Sequence, residues 1–286
     1  MRTRRIGDVQ VSEIGLGGMP MSVEGRPDAQ RSVATIHAAL DAGVTLIDTA
    51  DSYSLGGEDT GHNESLIAGA LATYRGDTSN VLVATKGGHI RPGDGSWIVD
   101  GRPEYLKQAC EASLKRLGVE RIGLYQFHRP DPRVPIEESV GALADLLAEG
   151  KIRFAGVSNF DSAQINAANE VLGGRLASVQ NQFSPAHRSA EPELALCARL
   201  GIAFLPWSPL GGIGSAGKLG SRFAPFAEVG RAKGVSPQRV CLAWLLAKAP
   251  VVIPIPGASR PETITDSAAA PELELSADEL ARLDAA

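Results

Sequence analysis

Apolar segments alternate with helical sequence eight times along this chain of 286 residues. A strand followed by a helix, repeated at a spacing of roughly 25 to 40 residues, is typical of a parallel α/β fold. Eight such units predict a (β/α)8 TIM barrel, in which the strands close into a cylinder surrounded by helices. The segments predicted to be strands begin at Ile14, Val44, Val81, Ile122, Phe154, Ser178, Ala203 and Val251.

A doubly wound sheet is the alternative fold with the same alternation. A dinucleotide-binding sheet of that type carries G-x-G-x-x-G between its first strand and first helix, with an acid about 20 residues further on. The nearest segment, Gly15-Leu-Gly17-Gly18, has the wrong spacing, so the barrel is favoured. Alternation around Gly7-Asp8 predicts an N-terminal β-hairpin that caps the barrel.

Helical sequence follows the predicted strands, and Asp28 is the predicted cap of the first helix. A Gly-rich stretch that contains Trp97, residues 87–102, is predicted to be a long loop. The helices are predicted at about 29–42, 63–74, 103–117, 137–149, 161–170, 191–200, 223–233 and 237–248.

Composition favours an ordinary globular protein, with 43% hydrophobic and 21% charged residues and no internal linker, so residues 1–286 are predicted to form one domain. A net charge of -5 without a block of Lys or Arg argues against nucleic acid or an anionic membrane as a partner and leaves small molecules. The longest apolar region, 240–258, is interrupted by Lys248 and prolines, which does not fit a membrane span.

The three cysteines, Cys110, Cys197 and Cys241, lie singly in helical sequence without a C-x-x-C motif or a Cys/His cluster. They are predicted to be buried reduced thiols and not metal ligands. No apolar segment follows the basic residues at the start of the chain, so a signal peptide is not predicted. Both features fit a cytoplasmic protein.

Polar side chains stand where successive predicted strands end. Because the carboxyl ends of parallel strands share one rim of a barrel, these groups are predicted to lie together. Each has an ordinary explanation, as a turn residue, a helix cap or a solvated strand end, and only their coincidence predicts a catalytic site. The groups are Asp48 with Tyr53 beyond it, Lys86, His128, Ser158 with Asn159, and Gln180.

Several of these segments also resemble one family. Asp48-Thr-Ala-Asp-Ser-Tyr53, Leu124-Tyr-Gln-Phe-His128, the stretch 150–160 and Trp207-Ser-Pro-Leu-Gly211 are similar to motifs of the aldo-keto reductase superfamily, in the same order. The resemblance extends from about Arg5 to Leu283. It implies a catalytic tetrad of Asp48, Tyr53, Lys86 and His128 and a nicotinamide dinucleotide cofactor, usually NADPH.

The chemistry of such a tetrad follows from its residue types. A hydride that reaches a carbonyl carbon leaves negative charge on the oxygen, and the phenol of Tyr53 can donate a proton there. An ammonium at about 4 Å stabilises the phenolate by roughly 4 kcal/mol, which lowers the phenol pKa by at most about three units. Lys86 would supply this charge, Asp48 would hold Lys86, and His128 would position the carbonyl oxygen.

The resemblance further implies a set of cofactor contacts. The nicotinamide carboxamide would be held by Ser158, Asn159 and Gln180, and its ring would stack on Trp207. The pyrophosphate segment would include Ser208, Leu210, Gly211 and Lys218, although a flexible linker is the ordinary interpretation of the Gly-rich residues 211–220.

The C-terminal segment departs from the common family pattern. Ile255-Pro-Gly257-Ala-Ser259-Arg260 has no Lys before Ser259, while Thr263 and Ser267 stand where many relatives carry Arg and Asn. The segment resembles the bacterial branch with Ile-Pro-Gly, and Arg260 is the predicted clamp for a 2'-phosphate or else a solvated surface residue. NADPH is predicted, with NADH left open.

Substrate choice is predicted to depend on loops that include Met19, Trp97 and His187. The segments 181–188 and 207–212 resemble reductases that act on pyridoxal, although similar sites reduce sugars and aryl aldehydes. The predicted function is the reduction of an aldehyde or ketone by a monomer. A regulatory subunit that binds the nucleotide, as in potassium-channel beta subunits, is the alternative, and an isomerase or lyase fits the motifs less well.

Overall fold

Parallel strands form one curled seven-stranded sheet in the computed structural model, which describes residues 2–286. The strands are β1 (Thr3–Ile6), β2 (Val9–Ser12), β3 (Leu16–Gly17), β4 (Leu46–Asp48), β5 (Leu82–Gly87), β6 (His89–Ile90), β7 (Ile98–Val99), β8 (Ile122–Phe127), β9 (Ile152–Ser158), β10 (Leu176–Gln180) and β11 (Ala203–Phe204). The order across the sheet is β3, β4, β5, β8, β9, β10, β11, so neighbours in the chain are neighbours in space.

Helices follow the strands of the sheet and pack on the outer face of the sheet. They are α1 (Ala29–Asp41), α2 (His62–Thr73), α3 (Pro103–Leu117), α4 (Ile136–Ala148), α5 (Ser162–Val171), α6 (Glu191–Leu200), α7 (Leu219–Arg222), α8 (Ala224–Lys233), α9 (Pro237–Lys248), α10 (Pro261–Ala268) and α11 (Ala277–Asp284). The predicted cap of α1 is confirmed, because the Asp28 carboxylate accepts a hydrogen bond from the Arg31 amide. The last two helices were not predicted.

The predicted last strand, residues 251–255, does not form a regular strand, although its backbone bonds to both edges of the sheet. The Phe204 amide donates to Val251 and the Ile253 amide to Phe204 on one side, and the Gly15 and Gly17 amides donate to Pro254 and Pro256 on the other. Pro254 and Pro256 have no N–H to donate, which breaks the ladder and explains the irregularity.

Two antiparallel hairpins flank the sheet. The predicted N-terminal hairpin is β1–β2, in which Ile6 and Val11 pack with buried side chains of the sheet such as Leu46 and Leu124. A second hairpin, β6–β7, lies within the stretch predicted to be a loop, and its strands have two residues each. Strands this short carry no readable alternation, which is why the sequence pattern missed them.

The N-terminal hairpin is fastened to the irregular last segment by one side chain. The Arg4 guanidinium donates to the carbonyl oxygens of Ala249 and Val252 at 2.6 Å and of Leu246 at 2.9 Å, and it pairs with Glu13 at 3.0 Å. These carbonyls lie at the end of α9 and just beyond it, where helical partners are missing. Arg4 therefore joins the start of the chain to a segment almost 250 residues later.

Replacing Arg4 by Met is expected to lower the free energy of unfolding by about 2–4 kcal/mol, because three carbonyl oxygens lose a charged donor. Urea unfolding followed by circular dichroism measures this change. Arg5→Met is the matched control, since Arg5 is exposed on the other face of the same strand and its loss is expected to change stability by less than about 0.5 kcal/mol. Equal losses in the two variants would contradict the fastening role of Arg4.

Candidate active site

Three of the predicted catalytic side chains meet at the carboxyl ends of β4 and β5. The Lys86 ammonium lies 2.6 Å from the Asp48 carboxylate, donates to the Thr49 carbonyl oxygen at 2.7 Å and lies 3.1 Å from the Tyr53 hydroxyl. The register of β4 against β5 places Asp48 beside Ala84, two residues before Lys86, which brings the two side chains together. Lys86 is completely buried, so its three hydrogen bonds replace its hydration.

The charge of Lys86 is secured by these neighbours. Burial by itself disfavours the ammonium, but the Asp48 carboxylate and the Tyr53 hydroxyl outweigh it and raise the pKa of Lys86 above its ordinary value. The second Asp48 oxygen accepts a hydrogen bond from the Gln180 side chain at 2.8 Å and a longer one from Gln126 at 3.4 Å. The carboxylate is thus held on both oxygens.

The pKa of Tyr53 differs from the value expected from the Lys86 charge alone. Burial is the largest influence and raises the pKa of Tyr53, and the Asp48 charge adds to it, while Lys86 lowers the pKa in the predicted direction. The net change in the pKa of Tyr53 is upward, because the cost of burial exceeds the effect of Lys86. The sequence-based expectation of a lower pKa included only the Lys86 charge. In the protein alone the Tyr53 hydroxyl is therefore firmly protonated at neutral pH.

His128 directly follows β8 and faces Tyr53, with ring centroids 5.8 Å apart in an edge-to-face arrangement. Burial lowers the pKa of His128 well below its ordinary value, and His89 together with the Lys86 and Arg129 charges lowers it further. The imidazole is therefore neutral at pH 7. Its Nδ1 is buried and has no hydrogen-bond partner within residues 2–286, which leaves Nε2 as the nitrogen available to a ligand.

A second histidine, His89, was missed by the sequence analysis. Its ring lies against His128 with centroids 4.2 Å apart and against Trp97 at 5.5 Å, so that the three rings form one wall. Burial lowers the pKa of His89 to about 4, and the Arg129 and Lys86 charges act in the same direction. The available signal was its position two residues beyond the end of β5, at the rim where the other polar groups collect.

The predicted carboxamide contacts are linked to one another. The Ser158 hydroxyl donates to the Gln180 carbonyl oxygen at 2.8 Å, and the Asn159 side-chain amide donates to the His128 carbonyl oxygen at 3.0 Å. The Trp207 indole N–H donates to the Asn159 side-chain oxygen at 3.2 Å, which fixes the plane of the indole. Asn159 has a φ of 63°, a left-handed conformation that Asn tolerates better than most residues.

These groups line one cavity of about 780 Å³. The structure brings the predicted site residues Asp48, Tyr53, His128, Ser158, Asn159, Gln180, Trp207, Ser208, Leu210, Gly257, Ser259, Arg260, Thr263, Met19 and Trp97 into its lining. Lys86 is buried behind the lining, within reach of Tyr53. Besides Lys86, four predicted residues are not in the lining: Gly211, Lys218, Ser267 and His187, of which Lys218 and His187 are exposed and Ser267 is buried.

One end of the cavity suits an anionic ligand. Ser208, Gly211 and Gly212 all have positive φ, which turns the backbone sharply, as in backbone turns that bind anions. Arg260 and Ser259 lie at the N-terminus of α10, where unpaired amides and the helix dipole favour negative charge. Within residues 2–286 there is no cluster of three or more His, Cys, Asp or Glu side chains able to hold a metal ion.

The three cysteines are free and buried, as predicted. Burial raises the pKa of the Cys110 and Cys197 thiols to about 12, so neither is a reactive thiolate at neutral pH. In the described part of the chain, no helix combines the length and the apolar character that crossing a membrane requires.

A further buried acid, Asp51, lies behind the site. It is 3% exposed, and one of its oxygens has no hydrogen-bond partner in the described part of the chain. Burial, followed by the Glu64 charge, raises the pKa of Asp51 to about 8. Between pH 4 and 8 the unfolded chain therefore ionises this group while the folded protein keeps it protonated, so its contribution to stability is lost as pH rises through this range.

Replacing Asp51 by Asn is expected to remove the loss of folding stability that accompanies a rise in pH from 4 to 8. Relative to wild type, the variant gains stability from about pH 4 to pH 8 and then levels off, with a gain on the order of a few kcal/mol at the plateau. Urea unfolding at several pH values measures the difference. Glu120→Gln, an exposed acid replaced in the same way, is expected to show no such trend, and a pH-independent difference for Asp51→Asn would contradict the raised pKa.

The sheet therefore places a phenol, an ammonium and an imidazole around one cavity, a set of groups suited to acid–base chemistry on a bound ligand. Residues 13–286 match the model of the Aldo/keto reductase family. The chain therefore belongs to the aldo/keto reductase family, and it is an NAD(P)H-dependent oxidoreductase.

Relatives and solved structures agree with this placement. The 6-dehydroglucose reductase of Novosphingobium aromaticivorans is 36% identical over 269 residues, which are 92% of this chain and 87% of that protein. The glycerol dehydrogenase of Gluconobacter oxydans is 30% identical, with 99% of this chain and 94% of that chain covered and a TM-score of 0.84. An aldo/keto reductase of Klebsiella pneumoniae, solved with NADP and acetate, has the same identity and coverage and a TM-score of 0.80.

Proposed function

We propose that this protein uses NADPH to reduce an aldehyde or ketone to an alcohol, in a reversible reaction with Tyr53 as the general acid. The observation that carries the proposal is the position of the Lys86 ammonium, which contacts the Asp48 carboxylate at 2.6 Å and the Tyr53 hydroxyl at 3.1 Å beneath the cavity. This arrangement favours the transfer of a proton from the phenol to an oxygen above it.

Asp48, Tyr53, Lys86 and His128 would act together on the carbonyl oxygen. Tyr53 donates its proton as charge develops there, and Lys86 stabilises the phenolate that remains. Asp48 keeps Lys86 charged and fixed in place. Because His128 is neutral, its Nε2 can present an N–H to the same oxygen and orient the carbonyl.

NADPH fits the residues that line the cavity. The Trp207 indole is held by Asn159, which suits a flat ring next to a carboxamide, and the Ser208–Gly212 turn with the start of α10 suits phosphate groups. A solved relative contains NADP. When bound, the cofactor would supply the hydride, while this chain supplies the proton and the geometry.

The fold that supports this activity is proposed to be a complete (β/α)8 barrel formed by one domain. The support is the hydrogen bonding of the segment 251–258 to both β11 and β3, which would close the seven-stranded sheet as an eighth, proline-interrupted strand. A cytoplasmic location, a monomeric state and the resemblance to pyridoxal reductases remain predictions.

Tyr53→Phe removes the proton donor and keeps the ring. NADPH oxidation at 340 nm with a panel of aryl aldehydes, pyridoxal and aldose sugars is expected to fall by about a hundredfold or more, while binding of NADPH is retained. Tyr74→Phe is the control, because the Tyr74 hydroxyl contacts only the surface residue Asp41 among the described residues. Binding of NADPH by wild type without turnover of any panel member would favour the accessory-subunit alternative.

Arg260→Ala tests the cofactor end of the cavity. The dissociation constant for NADPH is expected to rise by about tenfold to a hundredfold, because a charged donor to the 2'-phosphate is lost, while that for NADH stays nearly unchanged. Quenching of protein fluorescence measures both constants. Arg231→Ala, which removes an exposed arginine of α8, is the control. An equal effect on both nucleotides would contradict a 2'-phosphate contact.

A further inference from the structure

The residue after His128 is an arginine whose charge has no counterion. Arg129 is exposed and lines the cavity, and its side chain forms no salt bridge or hydrogen bond with any described residue. Arg133, four positions later, is paired with Asp131 at 2.9 Å, so the same turn contains one arginine that is satisfied and one that is free. A free guanidinium beside a catalytic imidazole is a ready-made partner for an anion.

Arg129 lies at the end of the cavity that contains the wall of His89, His128 and Trp97, which we call the substrate end. Arg129 follows His128 in the chain and lines the same cavity, and its charge, like that of Lys86, lowers the pKa values of His89 and His128. The groups suited to cofactor phosphates, the turn at 208–212 and the start of α10, are separate elements. Arg129 is therefore placed to meet the substrate and not the phosphates.

Negative charge is scarce in the same cavity. Across residues 2–286, Asp48 is the only carboxylate in the lining, and its charge is taken up by Lys86 at 2.6 Å. Glu24, which is outside the lining, is paired with Arg91. The substrate end thus has a net positive charge, which attracts anions and raises their local concentration.

The remaining wall of the substrate end is largely apolar. Met19, Trp97 and Val99 line it, and Trp97 is held by the Arg91 guanidinium, which lies 4.7 Å from the centre of its ring. A polyhydroxylated substrate needs several paired acceptors and donors, and this end offers few. An apolar body that carries one anionic group matches it better.

We propose that the substrate is an anionic carbonyl compound, an aldehyde or ketone with a carboxylate on an apolar body, and that Arg129 binds the carboxylate. This inference rests on the proposed reductase function and names the substrate class of the same site. The carboxylate accepts two N–H bonds from the guanidinium, the apolar body lies against Trp97 and Met19, and the carbonyl oxygen reaches Tyr53 and His128.

The test compares 4-carboxybenzaldehyde with its methyl ester, in which one methyl group removes the negative charge. Wild type is expected to show the higher kcat/KM with the acid, and this preference should shrink as salt is raised. Arg129→Gln is expected to lower kcat/KM for the acid by about tenfold to a hundredfold and to change kcat/KM for the ester far less. Equal effects on both aldehydes, or a wild type that prefers the ester, overturn the proposal.

Arg121 provides a matched control for Arg129. Arg121 immediately precedes β8, at the end opposite to Arg129, and it is also exposed. Arg121→Gln changes the net charge by the same amount, so it is expected to leave the preference for the acid intact. A loss of preference in Arg121→Gln equal to that in Arg129→Gln would show an effect of overall charge and overturn the specific contact.

Reversing the charge at position 129 is expected to reverse the preference between anionic and cationic substrates. Arg129→Glu is expected to prefer 4-(trimethylammonio)benzaldehyde over 4-carboxybenzaldehyde, with a much smaller change in kcat/KM for the uncharged methyl ester. An unchanged preference for the acid in this variant overturns the proposal.

Failure of the reductase function is distinguishable from failure of this inference. If neither aldehyde of the pair is reduced, the proposed function fails, and Arg129 is then tested by binding alone. Benzoate and benzyl alcohol are titrated against the fluorescence of Trp97 and Trp207. Tighter binding of benzoate that is lost in Arg129→Gln supports the anion site, and equal binding of the two probes overturns it.

Discussion

The buried ion pair between Lys86 and Asp48 is the interaction on which the rest of the site depends. A lysine with no exposed surface stays charged only when its hydration is replaced, and here a carboxylate, a carbonyl oxygen and a phenol replace it. Asp48 is held in turn by Gln180, so the pair ties β4 and β5 to β10 across the curled sheet. Loss of either partner would leave an uncompensated charge in the interior.

The same burial sets the protonation of the neighbouring groups. It raises the pKa of Tyr53 and lowers the pKa values of His128 and His89, so the phenol keeps its proton and both imidazoles are neutral at pH 7. A protonated phenol and a neutral imidazole are both hydrogen-bond donors toward an oxygen above them. Arg129, in contrast, is exposed, lines the cavity and has no ion-pair partner among residues 2–286.

Local sequence patterns predicted the helices well and the irregular parts poorly. The predicted bounds of α3, α6 and α9 agree with the structure, because each helix has a proline in its first turn that marks where it begins. The segment 251–255 was predicted as a strand, but its prolines interrupt the ladder. The two-residue strands β6 and β7 are too short to show any periodicity, and with them His89 and its contact with His128 went unnoticed.

By itself the sequence determined which chemical groups stand at the ends of the strands, because strand ends and turn residues are encoded by near neighbours in the chain. Asp48, Lys86 and His128 were found in this way. Only the tertiary structure decided the partners of those groups. Gln180 donates to Asp48 from 132 positions away, Trp207 donates to Asn159, and Arg129 has no partner at all among the described residues. Such pairings depend on the register and curl of the sheet, which no local pattern contains.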